Sequence, residues 1–375
     1  MLEVKQPQKI LLVLTRYLGD CLLASGAIRT LRLAYPDAKI DVLVTPSGRW
    51  AIEGNVDVDE LIVVKQKLTF LDAISLFIKY FRCYDLTITD KPTGKSEFYA
   101  LLFSRGRRFR VVSSKMARTW RMRRSIFESC VSEEDGQSHR LIRNLKLLAP
   151  LNIKPCYQVI SPENDALPPL PNDYVVAHVP ASNQLKQWPI SNWAQLLEEM
   201  LVNGYNIVLT GSPSERDKDL LRELHTAIKY GIEREDKPSR KGKLIDLSGQ
   251  LSVAQTSSLI RSSCGYVGLD SGITHLASAH NIPIVMLITV APASMWAPWP
   301  YGYQPLEGIN SPYVNGVKCQ TVNNVTVLQS SKACSPCIVR HCVDGEDALS
   351  PCLIDISAKE VFGHIQIRMP LMKSQ

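Results

Sequence analysis

The chain has 375 residues, of which 45% are hydrophobic and 21% charged. That balance excludes a disordered chain, and the length exceeds one ordinary core, so two domains are expected. No run of 18 uncharged apolar residues occurs and the first seven residues hold an acid without an apolar stretch, so neither a spanning helix nor a secretory leader is expected, and the chain reads as soluble and cytoplasmic.

Residues 9–14 read as a buried parallel strand, continuously apolar from Ile10 to Leu14, followed by a turn at Tyr17-Leu18-Gly19-Asp20 and helical spacing over 22–34. The alternation continues through strand 40–44, strand 61–64, helix 70–81, strand 85–89, helix 97–103, strand 110–112 and helix 139–148. Residues 161–171 are proline-rich and without periodicity, as a linker would be. The alternation then restarts: strand 174–179, helix 193–202, strand 206–210, helix 214–228, a charged loop 233–243, strand 244–246, helix 253–261, strand 266–269, helix 272–280 and strand 284–287. An irregular aromatic and proline-rich stretch covers 291–313. The pattern is a βαβ series written twice, an α/β architecture of two Rossmann-like domains, 1–160 and 172–352, with a helical tail at 353–375 expected to pack back toward the first domain. Ligands of such folds bind at the carboxyl ends of the strands, so a cleft between the domains is the expected site.

Four turns that follow strands carry chemistry. In Arg16-Tyr17-Leu18-Gly19-Asp20 a carboxylate stands beside a glycine turn, as a general base for a hydroxyl or as a helix N-cap. In the segment 178–189, Ser182 lies in a small-residue turn and Lys186 precedes Trp188-Pro189; Lys186 can neutralise a diphosphate leaving group or simply lie at the surface. In Thr210-Gly211-Ser212-Pro213-Ser214-Glu215, Glu215 can accept hydrogen bonds from a ribose or base, or favour a helix N-terminus. The fourth turn, Asp270-Ser271-Gly272-Ile273-Thr274-His275-Leu276, opens a helix after an apolar strand and has the make-up of a pyrophosphate clamp, with Ser271 and His275 on one helical face. No GxGxxG fingerprint and no Walker loop occurs, which argues against a dehydrogenase and a phosphate-cleaving NTPase.

The net charge of +7 is uneven: nine basic residues and no acid lie from Arg105 to Arg124. An anion-attracting segment of this kind suits nucleic acid, an anionic membrane surface, or a phosphorylated or carboxylated acceptor. Aromatic side chains are sparse there, and a nucleic-acid partner would leave the Asp270 turn without a purpose, so no nucleic-acid partner is expected. Of the ten cysteines, four cluster as Cys334, Cys337, Cys342 and Cys352, a spacing that suits a structural zinc site or short-loop thiols.

In order along the chain, several segments resemble glycosyltransferase family 9, the family of ADP-heptose lipopolysaccharide heptosyltransferases. They are the run from Leu18 to Arg32 with Tyr35-Pro36-Asp37 behind it, Lys186-Gln187-Trp188-Pro189, Asp270-Ser271-Gly272-Ile273-Thr274-His275-Leu276-Ala277, and the closing cysteine cluster. The resemblance implies a GT-B fold and an inverting, metal-independent sugar transfer from a nucleotide-activated heptose, typically ADP-heptose, at the inner face of the cytoplasmic membrane. It makes the first domain the acceptor domain and the second the nucleotide-sugar domain. It implies Asp20 as the base and Lys186 as the phosphate-neutralising lysine. Gly19, Ser182, Glu215, Asp270, Ser271, Gly272 and His275 would form the donor site. Arg107, Arg108 and Arg121 would face the anionic lipopolysaccharide core. No cofactor is required in that reading beyond a possible structural zinc. The chain departs from the family pattern at Ala181, where glycine is usual, at Gln187, where arginine is usual, and around Val290, where a glycine is missing. These departures leave open another donor sugar, or a non-catalytic nucleotide- or glycan-binding protein with a degenerate site.

Overall fold

A computed structural model describes residues 6–65, 67–91, 94–112, 127, 129–132, 138–232, 239–337, 342 and 350–371. The chain divides into two compact units, Met1–Pro162 and Glu163–Gln375, so the boundary falls at the start of the proline-rich stretch.

The N-terminal unit runs β1 (Lys9–Leu14), α1 (Leu18–Ala34), β2 (Lys39–Val44), α2 (Pro46–Ile52), β3 (Glu60–Val63), α3 (Phe70–Tyr80), β4 (Tyr84–Thr89), α4 (Gly94–Phe103), β5 (Ser104–Val112), β6 (Ser129–Ser132) and α5 (Arg140–Lys146). Its sheet has the order β3-β2-β1-β4-β5-β6, with every pairing parallel. β1 is central, and Ile10 through Leu14 are buried, which is why its sequence is apolar throughout instead of alternating. The chain winds outward from β1 to β3 and then crosses back to β4. The gap between the carboxyl ends of β1 and β4 is therefore the topological switch point of this sheet. α1 packs closely on the segment after α5: Ser25 Oγ accepts from the Ile160 N–H at 2.8 Å, and Thr30 Oγ1 from the Cys156 N–H at 2.8 Å.

The C-terminal unit runs β7 (Val175–His178), a 3₁₀ turn at Gln184–Lys186, α6 (Ile190–Val202), β8 (Ile207–Thr210), α7 (Glu215–Ile232), β9 (Leu244–Asp246), α8 (Val253–Arg261), β10 (Gly265–Leu269), α9 (Gly272–Ala277), β11 (Ile284–Leu287), α10 (Ala293–Trp296), β12 (Cys319–Val322), β13 (Val325–Leu328), α11 (Pro351–Ile354) and α12 (Ala358–Arg368). The sheet order is β12-β13-β11-β10-β7-β8-β9, parallel except for the β12–β13 hairpin at one edge. Here the switch point lies between β7 and β10.

The tail is helical, and Val361, Phe362 and Ile365 of α12 lie in the core of the C-terminal unit, beside α6. Phe362 meets the Tyr205 ring edge-on at 6.1 Å, and the Trp188 indole N–H donates to the Ile356 carbonyl at 3.0 Å, just before α12 begins. The helix expected over 272–280 ends at Ala277, where Ser278 Oγ donates back to the His275 carbonyl at 2.7 Å. The hairpin β12–β13, which no strand was expected to supply, closes through Asn323-Asn324, with Asn323 in the left-handed region at φ 50°.

Candidate active site

At the switch point of the N-terminal sheet four charged side chains converge. Arg16 comes from the β1–α1 turn, Asp20 from the first turn of α1, Asp90 directly follows β4, and Arg140 begins α5. The Asp20 carboxylate lies 3.8 Å from Arg16 Nη1 and 3.6 Å from Arg140 Nε. Asp90 Oδ2 takes a hydrogen bond from Arg140 Nη2 at 3.1 Å and lies 3.4 Å from Arg16 Nε. Arg140 and Asp90 are buried, while Asp20 and Arg16 keep some access to solvent. Asp20 is not the helix cap, because Tyr17 holds that position and makes no side-chain capping bond; Asp20 sits in the first turn with Gly19 before it. Burial raises the Asp20 pKa above its ordinary 3.8, Arg140 and Arg16 oppose that rise, and Asp90 adds to it. A carboxylate so placed is a stronger base than one in water, which suits proton abstraction from a hydroxyl.

The C-terminal unit repeats the arrangement. Lys186, on the turn after β7, reaches Asp270, which directly follows β10, with Nζ 2.5 Å from Oδ2. β7 and β10 are paired neighbours, so this ion pair spans the second switch point. Below it the Asp270 turn is pinned. Ser271 caps α9, its Oγ accepting from the Thr274 N–H at 3.4 Å. Thr274 Oγ1 in turn donates to the Leu269 carbonyl at 2.5 Å and lies 2.9 Å from the Tyr266 hydroxyl. Gly272 is the first residue of α9. His275 is buried, its Nδ1 has no hydrogen-bond partner, and burial lowers its pKa to about 4, with Asp270 opposing that shift and Lys186 adding to it. A neutral imidazole therefore stands beside the Lys186–Asp270 pair.

The departure at Gln187 has a structural reading. Its buried amide accepts from the Ala181 N–H at 3.0 Å and donates to the Val179 carbonyl at 3.0 Å and the Trp188 carbonyl at 3.2 Å. Gln187 thus laces together the turn that presents Ser182 and Lys186. Ser182 itself is exposed, and its carbonyl accepts from Arg216 Nη1 at 3.0 Å.

Other expected residues are placed differently. Glu215 opens α7 on the surface, where Lys218 Nζ lies 2.7 Å from Oε1 and lowers its pKa. Arg107 lies over the Phe109 ring at 5.1 Å, Arg108 is half-buried, and Arg121 lies outside the described residues. The basic run is not a uniform anion-facing surface. Arg105 pairs with Asp85 at 2.8 Å, and the buried Arg110 donates to Glu97 at 2.8 Å and stacks over Phe127. Of the four clustered thiols, Cys334 is exposed, Cys337 and Cys342 are half-buried, and Cys352 is buried 2.7 Å from Ser350 Oγ. Among the described residues no three His, Cys, Asp or Glu side chains come together to hold a metal ion.

Sequence reasoning passed over Asp90 and Arg140 and gave Arg16 no role. The signal for Asp90 was available: it is the acid directly after a buried strand, the position Asp270 holds in the second unit. Nothing local marks Arg140, because its partners are 50 residues away and more.

Two doubly wound units, each with charged groups from its first strand's turn facing an acid across the switch point, define the class of two-domain α/β proteins that handle anionic ligands at strand ends. The sequence matches the family model of glycosyltransferase family 9 (heptosyltransferase) over residues 119–324, more than half of the chain. The chain belongs to that family and is a glycosyltransferase with a GT-B fold. It is 25% identical to lipopolysaccharide heptosyltransferase 3 of Escherichia coli K12 over 300 residues, covering 76% of this chain and 83% of that one. Among solved structures it is similar to the ADP-heptose lipopolysaccharide heptosyltransferase II of E. coli, at a TM-score of 0.67 and 19% identity over 96% of this chain and 98% of the other. It is also similar to an E. coli heptosyltransferase solved with ADP, at a TM-score of 0.66 and 14% identity over 96% and 99% of the two chains.

Proposed function

We propose that the protein moves a heptose, or a closely related sugar, from an ADP-sugar to the inner core of a lipopolysaccharide or a related surface glycan, with inversion at the anomeric carbon. The observation that carries the reading is the Lys186–Asp270 pair across the second switch point, with the neutral His275 beneath it. Support comes also from the relatives, which are named for heptose transfer to lipopolysaccharide and for ADP-heptose or ADP as ligand. In this reading the C-terminal unit holds the donor. Lys186 meets the diphosphate, whose charge grows as the glycosidic bond breaks, so its attraction is stronger in the transition state than in the ground state. Lys186 supplies the cation for that step, and the transfer calls for no metal or cofactor. Asp270 orients the ammonium group, and His275, uncharged, leaves the site's positive charge to the lysine. Asp20 takes the proton of the acceptor hydroxyl as its oxygen attacks the anomeric carbon; Arg16 and Arg140 hold that carboxylate in place. Work at the inner face of the cytoplasmic membrane follows from such an acceptor, and no helix among the described residues is long and apolar enough to cross a membrane.

A thermal-shift panel of ADP, UDP, GDP and CDP tests the donor. A nucleotide at about 100 times its Kd stabilises by roughly 2.7 kcal/mol. A shift with ADP alone is expected, followed by turnover of ADP-heptose on heptose-deficient lipopolysaccharide. A shift with another nucleotide and none with ADP would overturn the donor assignment.

A further inference from the structure

Helix α3 carries apolar residues on two faces. The inner face is ordinary: Leu76 and Tyr80 pack on the core of the N-terminal unit, with the Tyr80 ring 5.6 Å from Phe103. The outer face consists of Phe70, Leu71, Ile74, Phe77, Ile78 and, just past the helix end, Phe81, all exposed to solvent. Phe70 is 80%, Leu71 76% and Ile78 76% accessible. Helical spacing sets these residues in one stripe, and the rings of Phe77 and Phe81 touch at 4.5 Å. α4 packs beside α3 and exposes Phe98 and Leu101. Single exposed apolar residues need no account, but a whole helix face of them marks an interaction surface.

Charge identifies what covers it. Residues 65–82 hold Lys65, Lys67, Lys79 and Arg82 against one acid, Asp72, and Asp72 is engaged locally, accepting from the Thr69 N–H in the capping box. Lys65, Lys67 and Arg82 are exposed and flank the stripe at its two ends, while Lys79 is paired with Glu60 at 2.7 Å. An apolar stripe with lysines and arginine at its borders fits a medium that is apolar within and anionic at its surface. A second copy of this chain would set like-charged borders against each other, which opposes pairing.

We propose that α3 is the membrane-docking element of this enzyme, lying in the plane of an anionic bilayer surface with Phe70, Leu71 and Ile78 in the acyl boundary and Lys65, Lys67 and Arg82 at the lipid phosphates. The proposal rests on the reading of the acceptor as a membrane-borne glycolipid, and it assigns the attachment to α3 of the N-terminal unit.

Flotation of the full chain with vesicles tests it, using phosphatidylglycerol mixed with phosphatidylethanolamine, and phosphatidylcholine alone. The wild type is expected to float with the anionic vesicles and to be released by high salt. Leu71→Ser/Ile78→Ser and Lys65→Glu/Lys67→Glu should each lower the partition roughly tenfold or more, with unchanged thermal midpoints because every altered side chain is exposed. Equal flotation of wild type and both variants, or no flotation of the wild type, would overturn the proposal. So would a wild-type dimer in light scattering that the serine variant dissolves, since the face would then belong to a second copy. Turnover separates this proposal from the functional reading. On a deacylated, water-soluble acceptor both variants should match the wild type, and on acceptor embedded in vesicles both should fall. Vesicle binding lost as expected, with no turnover of ADP-heptose by any form, would sink the heptosyltransferase reading and leave the docking face standing.

Discussion

Burial and two arginines act in opposite directions on Asp20, and burial wins: its pKa is raised. The ionised carboxylate is thus less favoured in the folded chain than in the unfolded one, so removing its charge should not weaken the fold. Asp20→Asn is expected to lower kcat by about 10²–10⁴, the range for loss of a positioned base, with a Tm at pH 7 no lower than that of the wild type. A matching drop in Tm would instead make Asp20 a structural member of the Arg16–Asp90–Arg140 cluster. The same shift sets the acid limb of the wild-type pH–rate profile above the ordinary carboxylate value of 3.8. Lys186 differs, because its partner Asp270 is buried and would lose its only ion pair among the described residues. Lys186→Ala should therefore raise the donor KM and cut kcat by roughly 10²–10³, whereas Lys186→Arg, which keeps the charge, should recover donor binding more than turnover. Equal losses in the two variants, read from steady-state kinetics, would remove charge as the reason.

At the scale of elements, α1 illustrates how a tertiary contact overrides local preference. Alanine is favoured over glycine inside a helix by about 1 kcal/mol, yet a Cβ on Gly26 would meet the Gln158 carbonyl oxygen at 2.7 Å and that of Cys156 at 2.9 Å. Both are backbone atoms, held by the Ser25 and Thr30 hydrogen bonds and unable to swing aside. Gly26→Ala is expected to destabilise by about 1–3 kcal/mol, the usual cost of overpacking, seen as a lower denaturant midpoint at unchanged slope; a stabilised variant would show that the segment after α5 gives way. Much of this architecture is legible in the sequence, because buried parallel strands such as 10–14 and 284–287 are continuous apolar runs and helices such as 193–202 and 253–261 carry an apolar stripe. What is not legible depends on distant partners. No element is expected from the sequence between strands 40–44 and 61–64, where the structure has α2 with Pro46 in its first turn, a place that suits proline. The tail's apolar residues say that it packs and not where, and α12 contributes Val361, Phe362 and Ile365 to the C-terminal core. In the candidate site, Asp20, Lys186 and Asp270 stand at strand ends and could be found from their spacing. Arg140 could not, and Glu215, found by its place in a turn, turns out to face solvent.

Across the whole molecule, the two units should respond to acid unequally. His178, His275 and His280 are buried in the C-terminal unit, and burial lowers the pKa of each to about 4 from an ordinary 6.5. In the unfolded chain these rings take up protons as pH falls through 6.5, while in the folded unit they do not. Stability is therefore fully present above pH 6.5 and is lost as pH falls toward 4, at a limiting slope of roughly 1.4 kcal/mol per pH unit for each ring. The N-terminal unit buries one histidine among its described residues, His139. Its raised carboxylates, Asp20 and Asp41, act with the opposite sign: the folded unit holds their protons more tightly, so acidification favours the fold there. Carboxylates with lowered values, such as Glu60 at about 2, lose their contribution as pH falls from their ordinary 4.5 toward the folded value, below the pH interval of the test that follows. Hydrogen exchange read separately over β10–β11 and over β1–β4, near neutral pH and then about one and a half units lower, checks the difference after correction for intrinsic exchange rates. Protection should fall more in the C-terminal strands than in the N-terminal ones. An equal fall in both would mean that the units unfold as one and that the buried histidines do not set the acid response of their own unit.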